Sequence, residues 1–464
     1  MSNDATALPE FLSVNPADPS QELGRFRFMG AGEIQKISDS AAQAKQTWSS
    51  DPVARSNALK ASSALIRASA EELENLIVLE VGKPISEAKG EIARAIAILD
   101  YYSTLALNSL GETLPAPGIS HLYSTRVPYG VAGLITPWNF PVAIPIWKAA
   151  PALAGGNTVI IKSSEFATAT ATKLVEILSK ALPVNVLNLV TGAGAQGAAL
   201  ISSTDVVSFT GSAQTGEKVI EAASRNKTPV QAEMGGSNPA IVFSDADLDQ
   251  VVSNLMIGAF SFSGQKCTAT RKVIAVGDKQ FGEVLARKLG EAMDGLRIGN
   301  PADSQTYIGP LINDESVSKF QVAVTRAKDE GALVQESAQE LPIVGSFVRP
   351  VLTINLPNSS ALLREEVFGP MLNLVSVKDE DAAIELANAT NYGLTASIHT
   401  SNIRRALSMS NRLVTGMVKV NAPTTGVDFY APFGGAKDSS FGAREQGSKA
   451  IDFYTYSRTI SLNA

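Results

Sequence analysis

Val131-Ala132-Gly133-Leu134-Ile135-Thr136-Pro137-Trp138-Asn139, followed by a second β-branched run at Thr158-Val159-Ile160-Ile161-Lys162, decides the fold. Between residues 130 and 234 short runs of this kind alternate with Ala-rich helical segments. The spacing predicts strands at Val131–Ile135, Thr158–Lys162, 186–190, Val206–Thr210 and Val230–Glu233, with helices near 145–155, 167–181, 195–202 and 214–225. Such alternation implies right-handed βαβ crossovers and a parallel sheet covered on both faces. Ligands on these sheets bind beyond the carboxyl ends of the strands, where Asn139, Lys162 and Gly211 fall.

Working outward, a second α/β region runs from about 235 to 440, with strand candidates at 272–276, 347–354, 372–377, 394–399 and 416–421. A boundary near Gly235-Gly236 puts Glu233 on one domain and Cys267 near the start of the next, and a cleft between domains is a natural site. Residues 1–32 read as irregular structure with short strands, and helix signals then dominate to about residue 110. Ser50-Asp51-Pro52 suits a helix start, and Ile92, Ile96 and Leu99 recur at helical spacing. Two extended stretches, 119–128 and 453–462, fit neither region and read as strands that reach out to another element or subunit.

The chain has 464 residues, 45% of them hydrophobic, enough for two or three domains and a large core. Its 39 basic and 45 acidic residues are mixed without long runs of one sign, which recommends neither a nucleic-acid nor an anionic-membrane partner. One cysteine cannot form an internal disulfide or a Cys-rich zinc site. Met1-Ser2-Asn3-Asp4-Ala5 lacks the basic start and apolar run of a secretory signal, and no run approaches the ~20 apolar residues of a membrane span. A cytoplasmic protein without a metal centre is expected.

That cysteine stands in Gly264-Gln265-Lys266-Cys267-Thr268, a polar, glycine-containing turn after a helical stretch at 247–262, unlike the surroundings of a small core hydrophobe. As a nucleophile it needs a base. Only two histidines exist, His121 in an extended arm and His399 in a β-run, so the base is a carboxylate. Glu233 follows an apolar strand and precedes two glycines that leave room beside it. A thiol with a carboxylate base can make and then hydrolyse a thioester, and a nucleotide-type sheet supplies the electron acceptor, a combination that suits aldehyde oxidation. Gly192-Ala193-Gly194-Ala195-Gln196-Gly197 matches a dinucleotide fingerprint but does not open the first βα unit. Phe209-Thr210-Gly211-Ser212, ending a strand and starting a helix, is the better pyrophosphate turn.

With Thr136-Pro137-Trp138-Asn139-Phe140-Pro141, Lys162-Ser163-Ser164-Glu165, Phe209-Thr210-Gly211-Ser212, Glu233-Met234-Gly235-Gly236, Gly264-Gln265-Lys266-Cys267, Glu365-Glu366-Val367-Phe368-Gly369-Pro370 and Pro432-Phe433-Gly434-Gly435 in this order, the chain resembles the aldehyde dehydrogenase superfamily over its full length. The resemblance implies an α/β fold with a Rossmann-type NAD(P)-binding domain (1–114 and 130–234), an α/β catalytic domain (235–443) and a small β oligomerisation arm (115–129 and 450–464), hence a homodimer or homotetramer. It implies that Cys267 attacks the aldehyde, that Asn139 and the Cys267 backbone N–H hold the oxyanion, and that Glu233 activates the hydrolytic water. Lys162 and Glu165 match positions that hold the adenosine ribose, and Trp138 lies beside the cofactor. Gly211 and Ser212 match the pyrophosphate turn, and Glu366 and Phe368 the residues at the nicotinamide ribose and ring. A carboxylate at 165 favours NAD, with NADP still admitted.

The sequence departs from the family pattern at Ser163 (usually proline), Ser237 (often lysine) and Ser440 (usually glycine). The segment 136–157 looks most like the α-ketoglutarate semialdehyde (2,5-dioxopentanoate) dehydrogenase branch. Succinate semialdehyde enzymes usually carry arginine at the position of Trp147, though Arg271 or another cation could take that role. Succinate semialdehyde and broader aliphatic or aromatic aldehydes are the alternative substrates. A coenzyme A-acylating enzyme is disfavoured by Glu233, which such relatives generally lack, and a non-catalytic structural or binding homologue by the intact Cys267, Glu233 and Asn139.

Overall fold

Three of the β-branched runs that lead the sequence, Val131–Ile135, Thr158–Lys162 and Val206–Thr210, are strands in which every residue is buried. That is the pattern of strands covered on both faces. The computed structural model that places them describes residues 9–108, 111–118 and 120–463. The N-terminal stretch Met1 to Ala5 and Ile119 of the expected arm lie outside those residues.

Leu187–Val190 and Val230–Glu233 complete a parallel set in the order 187–190, 158–162, 131–135, 206–210, 230–233. The first strand in sequence sits in the middle, with later strands added outward on either side of it. The crevice where the winding reverses therefore opens between the carboxyl ends of Val131–Ile135 and Val206–Thr210. A sixth strand, Ser440–Phe441, closes the edge antiparallel to Val230–Glu233, with Ser440 opposite Glu233.

Only four residues separate Glu233 from Asn238, the first residue of a central strand in a second, seven-stranded sheet. Its order is Leu333–Glu336, Val351–Ile354, Met371–Val377, Thr270–Val276, Asn238–Phe243, Thr395–His399 and Met417–Val420, parallel except at the first pair. Two of these strands escape the pattern reading. Asn238-Pro239 looks like turn chemistry, yet Pro239 is tolerated at the second position of the strand. Leu333–Glu336 is an exposed edge with little apolar signal. The run predicted at 347–354 begins only at Val351, after Pro350.

The helical region resolves into Ala31–Trp48, Pro52–Ala68, Ala70–Val81 and Ile85–Leu105. Asp51 caps the second, accepting from the Val53 and Ala54 amides at 2.9 and 3.0 Å, with Pro52 in the first turn. Ile92, Ile96 and Leu99 face the core as their spacing requires. Before these helices Glu10–Asn15 and Asp18–Arg27 form an antiparallel hairpin. The two outlying stretches pair with each other: His121–Pro128 runs antiparallel to Thr455–Leu462 along its length, with Thr113–Leu114 on its other side. Among the described residues no helix is long and apolar enough to cross a membrane.

Candidate active site

Strand ends deliver the first group of side chains. Past Ile135, the buried Asn139 donates its amide to the Gln265 carbonyl at 2.9 Å, while its own oxygen has no partner among the described residues. Trp138 meets Phe368 and Phe262 edge-on, with centroids 5.8 and 6.1 Å apart. Lys162 ends its strand nearly buried, its ammonium 4.0 Å from the Glu165 carboxylate. Burial pulls the lysine pKa down and Glu165 opposes that. Gly211 follows the next strand, and Ser212 caps the 14-residue helix Ala213–Asn226 by accepting from the Thr215 amide. The first amides of that helix have no intrahelical acceptor and suit an anion.

The fingerprint at 192–197 is occupied by the protein itself. The Gln196 side chain folds back to accept from the Ala193 amide at 3.0 Å and donates to the Met29 carbonyl at 3.0 Å. Its carbons fill the space over Gly192.

Cys267 comes from a loop rather than a strand end. The helix Leu248–Phe260 runs into Phe262 and Ser263 with φ of 49° and 54°, then Gly264 at 69°. Left-handed non-glycine residues cost of order 1–3 kcal/mol each, so the surroundings must hold them. The Phe262 amide donates to Glu87 at 2.5 Å and the Ser263 hydroxyl to the Gly309 carbonyl at 2.8 Å. Gln265 is fully buried, donating to Pro310 at 3.2 Å and accepting from the Ile312 amide at 3.0 Å. Asn238 donates to the carbonyls of Cys267 and Ala269, each at 2.8 Å. The half-buried Cys267 packs against Leu394, Val427 and Phe433. Burial first, then the charges of Glu366 and Glu233, push its pKa up to about 12, while Arg271 pulls the other way.

Glu233 is buried at the end of its strand. Its Oε2 accepts from the Ser440 hydroxyl at 2.5 Å, and its Oε1 has no partner among the described residues. A Cβ at residue 434 would lie 2.7 Å from that Oε1, so Gly434 is what lets the carboxylate lie there. Burial raises its pKa well above the ordinary value and the neighbouring Glu445 adds to this, with Ser440, Lys148 and Arg444 opposing. Glu366 accepts from the Gly236 amide at 3.2 Å, and a Cβ on Gly235 would come within 2.3 Å of its Oε2. Both glycines after Glu233 thus serve close approach.

Behind Glu233 lies a polar cluster that pattern reading missed. Lys148 pairs with Glu445, which also accepts from Trp147 Nε1 at 2.8 Å, and Ser208 and Gln231 complete the network. One signal was available: Lys148 is the sole charge on Ala143–Ala154, a helix buried at every residue, and an isolated charge there demands a partner. Arg271 does not serve as a free cation for a substrate carboxylate. Its guanidinium is buried and spent on the carbonyls of Gly369, Gly264 and Lys266 at 3.0, 2.7 and 3.1 Å. It also lies over the Phe368 ring at 5.7 Å.

Residues 3–460 match the model of the aldehyde dehydrogenase family. Alpha-ketoglutaric semialdehyde dehydrogenase of Bacillus subtilis (strain 168) is 38% identical over 456 residues, covering 96% of this chain and 93% of that one. The 2,5-dioxopentanoate dehydrogenase of Saccharolobus solfataricus is 35% identical, covering 97% and 96%. Among solved structures, betaine aldehyde dehydrogenase from Staphylococcus aureus in complex with NAD+ superimposes with a TM-score of 0.93 at 29% identity, covering 98% of this chain and 92% of that one.

Proposed function

The chain belongs to the aldehyde dehydrogenase family, and from that premise we propose that Cys267, Glu233 and Asn139 carry the oxidation of a short carboxylated semialdehyde, such as 2,5-dioxopentanoate, to its acid. The protein is an NAD(P)-dependent aldehyde dehydrogenase. What most supports the residue assignment is a linkage: the charge of Glu233 acts on the Cys267 thiol, while Asn139 is bonded to Gln265, two residues before the sulfur.

With its pKa pushed up to about 12 the thiol carries a proton in the ligand-free protein; that proton passes to solvent as the sulfur attacks, which leaves Glu233 free to act as the base of the hydrolytic step. Thiolate addition to the carbonyl carbon forms a C–S bond and an oxyanion. The Gln265 carbonyl holds one hydrogen of the Asn139 amide, which leaves the other, with the Cys267 backbone N–H, to stabilise that charge. NAD(P), when bound, supplies the hydride acceptor that turns the thiohemiacetal into a thioester. Glu233 then takes a proton from water as the hydroxide adds to the thioester and the sulfur leaves as thiolate.

The residues present fit such a cofactor. Lys162 and Glu165 offer a cation and a carboxylate at a strand end for ribose hydroxyls, with the Lys162 ammonium 4.0 Å short of its nearest acid. Gly211 and Ser212 present helix amides to a pyrophosphate, and Trp138, Phe368 and Glu366 line the nicotinamide end. The Glu165 carboxylate repels a 2′-phosphate, which favours NAD over NADP. The names of the two semialdehyde relatives support the substrate class. The betaine aldehyde dehydrogenase likeness keeps a broader aldehyde range as the second reading. The arm formed by His121–Pro128 and Thr455–Leu462 has an outer edge suited to a second subunit, so a homodimer or homotetramer in the cytoplasm completes the proposal.

An initial-rate panel of 2,5-dioxopentanoate, succinate semialdehyde, betaine aldehyde and simple aliphatic and aromatic aldehydes, each with NAD and NADP, tests it. The highest kcat/KM is expected for 2,5-dioxopentanoate with NAD. A clear preference for an uncharged or cationic aldehyde would overturn the substrate assignment.

A further inference from the structure

We propose that Ser440 is a positioning residue for Glu233, its hydroxyl holding the carboxylate at the sheet edge in the ionised form that can take a proton from water. The proposal rests on the reading of Glu233 as the base of thioester hydrolysis.

The geometry is specific at each link. Ser440 stands directly opposite Glu233 in the antiparallel pair that closes the six-stranded sheet, so both side chains leave the same face at adjacent strands. The Gly435 amide donates to the Ser440 oxygen at 2.6 Å, and the hydroxyl hydrogen is thereby turned toward Glu233 Oε2, 2.5 Å away. That separation is the range of an O–H donor on a carboxylate anion. The mount is firm. The Met234 amide donates to the Ser439 carbonyl at 2.8 Å, the Ser439 hydroxyl to the Gly235 carbonyl at 2.7 Å, and the Gly393 amide to the Ser439 hydroxyl at 2.9 Å. With Oε2 held, Oε1, which has no partner among the described residues, is left to receive a proton.

The groups facing Glu233 pull in both directions. Glu445, from the segment that follows, and burial itself favour the neutral acid; Lys148 from the buried helix, Arg444 and the Ser440 hydroxyl favour the anion, and Cys267 shares the site. A glycine at 440 would have no hydroxyl to offer, so the donor that stabilises the base comes from the serine side chain itself.

Full-length wild type, Ser440→Gly and Ser440→Thr, each with a good aldehyde substrate and NAD, are compared by chemical quench. Formation of the acyl-enzyme and its hydrolysis are followed separately from about pH 6 to 9. In Ser440→Gly the acyl-enzyme is expected to form at nearly the wild-type rate. Its hydrolysis should fall about tenfold at the acid end and recover as pH rises, since losing a hydrogen bond to a charged group is worth roughly a factor of ten. The sign follows from the donor: removing it raises the pKa of the base, so the acid limb moves to higher pH. Ser440→Thr, which keeps the hydroxyl, should restore the wild-type profile. An acid limb that stays in place in the glycine variant, or moves to lower pH, overturns the proposal. So does an equal fall of both steps at every pH, which would mark a structural role. Wild type that forms no acyl-enzyme would instead sink the reading of the site and this inference with it.

Discussion

The two sheets furnish the proposed active site by opposite means. The six-stranded sheet presents Lys162 and Glu233 at the ends, and Asn139 and Gly211 just beyond the ends, of strands whose hydrogen-bond ladders fix the backbone. The seven-stranded sheet contributes the proposed nucleophile from a loop with three consecutive left-handed residues, Phe262, Ser263 and Gly264; the Phe262 amide donates to Glu87 and the Ser263 hydroxyl to the Gly309 carbonyl, while Gln265 accepts from Ile312 and Asn238 donates to the Cys267 carbonyl. Regular structure suits groups that bind, whereas the sulfur must stand clear of its sheet to meet a carbonyl carbon. The strain of that loop is offset by a shell of buried polar side chains.

The most severe break on the loop side is Cys267→Ala, which should remove aldehyde oxidation entirely while NAD(H) affinity, read by fluorescence titration, stays within about twofold, since the strand-end residues remain. Residual turnover above about one part in a thousand would refute the thiohemiacetal route. A second effect is seen in the sulfur itself. With its pKa near 12, alkylation of ligand-free protein by iodoacetamide should keep climbing, about tenfold per pH unit, from neutrality to beyond pH 9. A plateau below about pH 8 would show a thiolate already formed and contradict the role given to burial and to Glu366.

Gln265→Ala sharpens the comparison at the level of the shell. It strips the Ile312 amide and the Pro310 carbonyl of their buried partner, and a loss of roughly 2–3 kcal/mol in denaturant unfolding is expected. Activity should fall further than the population of folded protein explains, because the Asn139 amide is oriented through the same loop. An unfolding midpoint and kcat both unchanged would show that the loop holds itself.

The contrast also explains what could be read from the chain alone. Strands with a buried, β-branched texture announce themselves, and Asn139, Lys162, Gly211 and Glu233 follow from where those strands end. Cys267 drew the reading of a nucleophile because a lone thiol in a polar glycine turn has little other reason to be there. Ser440, Lys148 and Glu445 were not legible in the same way. Ser440 reaches Glu233 across 207 positions and Lys148 reaches Glu445 across 297, so no local pattern joins them. The left-handed Phe262 and Ser263 carry no signal either, because bulky and β-forming neighbours ordinarily avoid that conformation and only the packed shell imposes it. Arg271 misled in the other direction, since a cation near the thiol looks available until its carbonyl partners are seen.

The account turns on a division of labour between the sulfur and the strand-end carboxylate. Glu233→Gln mixed with aldehyde and NAD should release a single burst of NADH, and intact-mass and peptide analysis should find the acyl group retained on Cys267, with steady turnover down about 10²-fold or more. Unchanged turnover, or a burst with no acyl group on Cys267, would contradict it.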